Sequence, residues 1–205
     1  MPIEPSELIL ADAAEWRRWL AEHHDTATEA WLVLARKGTT GPTTLSHDQA
    51  LDEALCQGWI DGQVHGRDPG TFYQRFTPRR AGSTWSKRNV EHVARLLAQR
   101  RMCPAGLAEV ERAKADGRWA AAYAGPATIE VPTDLLDALA AVPRAQAMFD
   151  ILTSQNRYAI LLRLHGAKRE ETRARRIQGF IEMLARGETI YPQRRALDDD
   201  TPWGD

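Results

Sequence analysis

The sequence predicts an α+β fold: a small, mostly antiparallel sheet flanked by helices, followed by a C-terminal three-helix unit. Three observations predict it. Short β-branched and aromatic runs alternate with amphipathic stretches of helical period over residues 12–116. Two strand-like runs, 59–64 and 71–77, flank the turn-rich hexapeptide HGRDPG, the pattern of a hairpin. Beyond residue 132 the periodic stretches are all helical. The expected division is an α+β domain over 1–125, a helical module over 126–192 and a loosely held tail over 193–205.

Each element has a local reason. Asp12-x-x-Glu15 reads as a capping box opening a helix over about 12–23, with Trp16, Trp19 and Leu20 at helical spacing. Residues 30–36 (AWLVLAR) are too short and too β-branched for a helix and predict a buried strand. Residues 37–45 (KGTTGPTTL) are a turn-rich loop. Ser46-x-x-Gln49 is a second capping box, its helix carrying Ala50, Leu51, Ala54 and Leu55 and closed by Gly58. Pro78 stops the second hairpin strand. Helices follow over 86–101 and 104–116, the latter with Pro104 near its start and Gly117 at its end. Residues 118–124 carry no clear pattern, and 125–132 (GPATIEVP) read as a linker. The C-terminal stretches are 134–141, 143–153 with 154–165, and 170–186.

Composition narrows the function classes. The 205 residues are 43% hydrophobic and 27% charged, which argues for a folded core and against wholesale disorder. No apolar run approaches the ~20 residues that span a bilayer, so membrane insertion is not expected. The N-terminus is acidic and lacks the basic start of a secretory signal, and a cytoplasmic location is expected. The two cysteines have no CxxC or CxxH partners, which disfavours a disulfide scaffold or a structural zinc site. The six histidines form no HxxxH or HExxH pattern, so no metal is implied. No GxSxG, GxxxxGK[ST] or GxGxxG motif occurs, and no cofactor is expected. Cys56 falls near the apolar stripe of its helix and reads as core. Asp52 and Glu53 point about 100° apart on a helix and form no carboxylate dyad by themselves.

The charge distribution points to a ligand class. Residues 1–58 hold four Lys or Arg against ten Asp or Glu, whereas residues 59–101 hold nine against three. A basic middle segment steers anions, or packs against the acidic one. In the hairpin, strand alternation places Ile60 and Val64 with Phe72 and Phe76 on the core side. The other side then displays Trp59, Asp61, Tyr73 and Arg75, which either cradle a planar or charged small ligand or form a solvated face with a cross-strand Asp–Arg pair. Beyond it come Arg79, Arg80, Trp85, Lys87 and Asn89. Ser86 is a good N-cap, yet Lys87 and Arg88 in the first turn oppose the helix dipole. Free N–H groups beside these cations make an anion site. The alternative is pairing with the acidic N-terminal region. Arginines and glutamates over 169–176 read as a solvated helix face.

Three separated motifs carry a family resemblance: 50–62 (ALDEALCQGWIDG), 73–80 (YQRFTPRR) and 85–89 (WSKRN). With 167–176 (AKREETRARR) and 177–187, they resemble the bacterial YdeI/OmpD-associated, bacteriocin-protection family over about residues 29–192. The resemblance implies a role in tolerance of antimicrobial peptides or envelope stress. It brings no catalytic residues to carry over. The expected function is binding of a small anionic or aromatic ligand by Trp59, Asp61, Tyr73, Arg75, Arg79, Trp85, Lys87 and Asn89. Trp59 and Trp85 would stack, and Arg75 and Arg79 would hold the anion. The alternative is an enzyme acting on a small metabolite or antibiotic with Asp61 as general base, although a carboxylate beside arginines is a weak base. A nucleic-acid partner is disfavoured by the near-neutral net charge of −1. The sequence sets no oligomeric state.

Overall fold

The computed structural model describes residues 7–167 and 169–197. The chain divides into two compact units, Met1–Ala122 and Tyr123–Asp205.

The first unit opens with β1 (Glu7–Leu8), a strand too short to leave a pattern in the sequence. α1 (Ala13–His23) is capped by the Asp12 carboxylate, which accepts the N–H groups of Ala14 at 2.8 Å and Glu15 at 3.0 Å. Glu15 reaches back to the N–H of Ala11 at 2.7 Å, one residue before the cap itself. β2 (Ala30–Ala35) is the apolar run. α2 (His47–Cys56) starts from the complete Ser46–Gln49 capping box. Gly58, at φ +76°, adopts the left-handed conformation that turns the chain from α2 straight into β3 (Trp59–Gly66). β4 (Thr71–Pro78), α3 (Lys87–Ala98) and α4 (Pro104–Ala115) complete the regular elements. Residues 117–121 are successive turns.

The sheet has the order β1-β2-β4-β3. β1 runs parallel to β2, and the other two pairings are antiparallel. Trp16, Leu20, Leu32, Leu34, Ala50, Ala54, Trp59 and Phe76 form one core between the sheet and the first two helices. Leu51, Leu55, Trp85, Val93, Leu96 and Val110 form a second, between α2, α3 and α4. α2 lies between the two, and residues 50–56 are all buried. The contact with α4 is tight. A Cβ at Gly106 would sit 2.3 Å from the Cys56 carbonyl oxygen and 2.7 Å from that of Leu55. Only glycine allows this approach.

Among the described residues, the second unit holds four helices rather than three: α5 (Thr133–Ala140), α6 (Pro143–Asp150), α7 (Ser154–His165) and α8 (Glu170–Ala185). The stretch 143–165 is broken at Thr153, whose hydroxyl accepts the Asn156 N–H at 3.3 Å and caps α7. Leu135, Leu139, Phe149, Leu161, Leu164, Ile177, Ile181 and Leu184 make the core. Ile129 and Val131 of the expected linker pack against it. Of the expected loose tail, residues 198–205 lie outside the described residues. Residues 193–197 are held: Gln193 Oε1 accepts the Thr153 N–H and the Asn156 amide, each at 3.0 Å, and Leu197 packs on the core.

Candidate functional site

The hairpin does not present the expected hollow. Residues opposite one another in antiparallel strands share a side. Asp61 pairs with Phe76, and Ile60 with Thr77. Phe76 is fully buried in the sheet core, so Trp59 and Asp61 lie on the core side while Tyr73 and Arg75 take the other. A bulge between Asp61 and Val64 then shifts the pairing. The Gln74 side-chain amide fills it, donating to the carbonyls of Gly62 at 3.1 Å and Gln63 at 3.3 Å. The Trp59 indole is 1% exposed, edge-on to Trp16 and Trp19, with Nε1 donating to the His24 carbonyl at 3.1 Å. It is a core residue, not a stacking platform.

The other expected site residues fall in separate places. Asp61 Oδ2 lies 3.1 Å from His47 Nε2, and this hydrogen bond raises the His47 pKa above its ordinary value. On the outer face, Tyr73 donates to Glu7, and Arg75 Nε donates to Glu29 at 2.9 Å. Acids of the N-terminal region neutralise this face, the alternative the charge distribution left open. The Arg79 guanidinium lies flat on Trp85, 3.5 Å from the ring centroid, and both side chains are buried. Asn89 is buried in the first turn of α3, where its N–H donates to Ser86 Oγ at 3.1 Å. Lys87 and Arg80 are exposed. The expected cations therefore share no single solvent-facing hollow.

A different set of residues converges on α2. Glu53, 3% exposed, accepts Arg17 bidentately, from Nε at 2.8 Å and Nη2 at 2.7 Å, and Arg101 Nη2 at 2.6 Å. Asp52, on the neighbouring side of the helix, accepts Arg95 Nη2 at 2.7 and 2.9 Å and lies 2.7 Å from His92 Nδ1. Burial pushes the Asp52 carboxyl up. Its bonds to Arg95 and His92 outweigh that and leave it below the usual carboxylate range. The 100° between the two acids, which excludes a dyad, is what lets each take cations from different elements.

Arg101 is delivered by a strained turn. Arg100 sits at φ 57°, in the left-handed region. Its N–H donates to the Leu97 carbonyl and that of Arg101 to the Leu96 carbonyl, both at 3.0 Å. This is a Schellman closure of α3 with arginine where glycine is usual. Two residues on, Cys103 precedes α4, and its N–H donates to the Cys56 carbonyl at 3.0 Å, satisfying the end of α2.

Arg17, Glu53, Cys56, Gln57, Arg101 and Cys103 line a cleft of about 330 Å³. Burial pushes the Cys56 thiol up to about 12 and raises that of Cys103, so both are protonated at neutral pH. Two guanidiniums, of Arg17 and Arg101, meet one carboxylate, of Glu53, in the lining of the cleft. Arg17 Nη1 and Arg101 Nε have no hydrogen-bond partner among the described residues. Sequence reasoning missed this site. The available signal was a pair of acids inside a helix whose flanking positions are all apolar.

Two family models match the chain. Residues 8–109 match a domain of unknown function (DUF8412), which spans every residue lining the Glu53 cleft. Residues 128–187 match the family described as Bacteriocin-protection, YdeI or OmpD-Associated. The C-terminal segment is thus similar to the YdeI/OmpD-associated family. This match is narrower than the resemblance over 29–192: the motifs at 50–62, 73–80 and 85–89 lie under the other model. No curated protein and no solved structure matches the chain. Within the YdeI/OmpD-associated segment, Ile129, Glu130, Pro132, Leu161, His165 and Arg173 line a smaller cleft of about 180 Å³. Among the described residues, no helix is long and apolar enough to cross a membrane.

Proposed function

We propose that this protein binds a small anion in the Glu53 cleft and acts in tolerance of bacteriocins or related antimicrobial peptides. The observation that carries the binding is the excess of guanidinium over carboxylate around the cleft. Glu53 holds Arg17 and Arg101 in place without cancelling them, and Arg17 Nη1 and Arg101 Nε keep three N–H bonds for a ligand. Fixed guanidiniums suit carboxylate and phosphate groups. The cleft volume of about 330 Å³ is at the small end of ligand pockets, which favours inorganic phosphate or a short dicarboxylate. Among the described residues no aromatic ring lines the cleft, so the anionic rather than the aromatic ligand is the one supported. The tolerance role is supported by the family description of residues 128–187.

The test is the melting temperature titrated with inorganic phosphate and with a short dicarboxylate. The wild type is expected to show a saturable rise. Arg17→Ala removes most of that rise, because this side chain is 58% exposed and its loss leaves Glu53 paired with Arg101. Equal responses from the two proteins would overturn the reading.

A further inference from the structure

Two thiols line the Glu53 cleft from different elements. Cys56 is the last residue of α2 and Cys103 immediately precedes α4. The Cys103 N–H donates to the Cys56 carbonyl at 3.0 Å. With standard bond lengths, a single main-chain bond of this kind holds its two Cα atoms within about 7 Å. That overlaps the span of about 4.4–6.8 Å that a disulfide bridges. Both residues also line the same cleft. Both cysteines are free, and the Cys103 Sγ makes only a weak contact, 3.9 Å from the Arg101 carbonyl. The Gly106 approach packs α4 closely against the end of α2, beside the two cysteines.

We propose that Cys56 and Cys103 form a reversible disulfide that weakens anion binding in the cleft between Arg17 and Arg101. The regulatory half rests on the anion reading above; the bond itself does not. Cys103 is half-buried and Cys56 is 3% exposed, so Cys103 meets the oxidant first. With a hydroperoxide, the Cys103 sulfur attacks the terminal oxygen, the O–O bond breaks, and water (or the alcohol) leaves. The sulfenic acid formed is then attacked by the Cys56 sulfur. The S–O bond breaks, the S–S bond forms, and a second water leaves. The two thiols lose two electrons and two protons in all, and the peroxide is reduced. A small dithiol reverses the step. The oxidised cleft loses two S–H donors and keeps the sulfur lone pairs, which disfavours an anion. Affinity is expected to fall about 3–10-fold, the range of a lost hydrogen bond or two. Because burial keeps both thiols protonated, the bond forms slowly at neutral pH. Its rate rises about tenfold per pH unit, with the thiolate fraction.

The experiment treats the full chain with hydrogen peroxide and follows it by intact mass and by peptide mapping without reductant. The expected product is a monomer lighter by two hydrogens, with the peptides of Cys56 and Cys103 linked, reversed by dithiothreitol and absent from Cys103→Ser. That variant is chosen because its position is half-buried and tolerates the change better than Cys56. Oxygen added to Cys103 alone, or linkage between two chains, overturns the disulfide. The phosphate-dependent melting shift is then measured on both forms. A smaller shift in the oxidised protein supports the regulation, and an unchanged shift overturns it. A protein that shows no shift in either form refutes the anion reading and the regulation together, while the mass measurement still decides the disulfide.

Discussion

Arg101 donates to Glu53 at 2.6 Å through Nη2 while its Nη1 lies 3.7 Å from Asp52. One guanidinium beyond the end of α3 thus ties both acids of α2 to the chain that leads into α4. Glu53 has almost no access to water, whereas Arg17 and Arg101 keep 58% and 31% of their side chains exposed. The pairing is therefore asymmetric: the cations can return to water and the carboxylate cannot.

Removing cations from Glu53 is expected to be strongly non-additive. Arg17→Ala costs about 1 kcal/mol, the scale of an exposed pair. Arg17→Ala with Arg101→Ala leaves the buried carboxylate without either partner and costs about 3–5 kcal/mol. Urea unfolding of the single and double variants measures the difference. A double variant no worse than the sum of two surface pairs would contradict the account.

The meeting of α2 and α4 predicts a steric effect at Gly106. A methyl group there would have to lie 2.3 Å from a backbone oxygen, which no side-chain rotation relieves. Gly106→Ala is expected to destabilise the first unit by about 2 kcal/mol or more, despite the better helix propensity of alanine. Thermal or urea denaturation reads it directly.

Arg100 predicts the opposite sign. Its left-handed backbone is strained for any residue with a Cβ. Arg100→Gly relieves that strain and gives back part of the gain in unfolded-chain entropy, a net stabilisation of about 0.5–1 kcal/mol. The same urea series tests it, and a loss of stability would show that the Arg100 side chain is itself needed.

The His47–Asp61 pair sets a pH dependence. The His47 pKa is raised above 6.5, chiefly by the Asp61 hydrogen bond. Its contribution to stability is fully present below the unfolded pKa of about 6.5 and is lost as the pH rises through the higher folded value. Melting temperatures of wild type and His47→Gln, measured from pH 5 to 9, are expected to differ most at the acid end and to converge at the alkaline end. A constant gap across this range would remove the pair from the explanation.

Much of the fold was legible because its signals are local. Asp12 with Glu15, and Ser46 with Gln49, each mark a helix start within four residues, and Gly58 and Gly187 adopt the positive φ that ends helices. The hairpin strands were legible too, but the side Trp59 faces was not. That side depends on which residue of β4 lies opposite, and the bulge after Asp61 alters the count. Thr153 was read as the last residue of the stretch 143–153, although a hydroxyl three residues before Asn156 is a capping arrangement. The Glu53 cleft was hidden for a different reason. Its arginines come from 36 and 48 positions away, and no periodicity records such a meeting. What the sequence held was only the anomaly of charge inside an apolar helix.

That anomaly constrains how the first unit assembles. α2 carries two acids into the interior, and their counter-ions arrive from α1, from α3 and from the stretch behind it. Docking of this central rod must therefore coincide with the arrival of three distant segments, which makes the unit all-or-none. Truncation before residue 95 would leave Glu53 with Arg17 and Asp52 with His92 but strip away Arg95 and Arg101, and is expected to weaken the whole unit rather than trim its end.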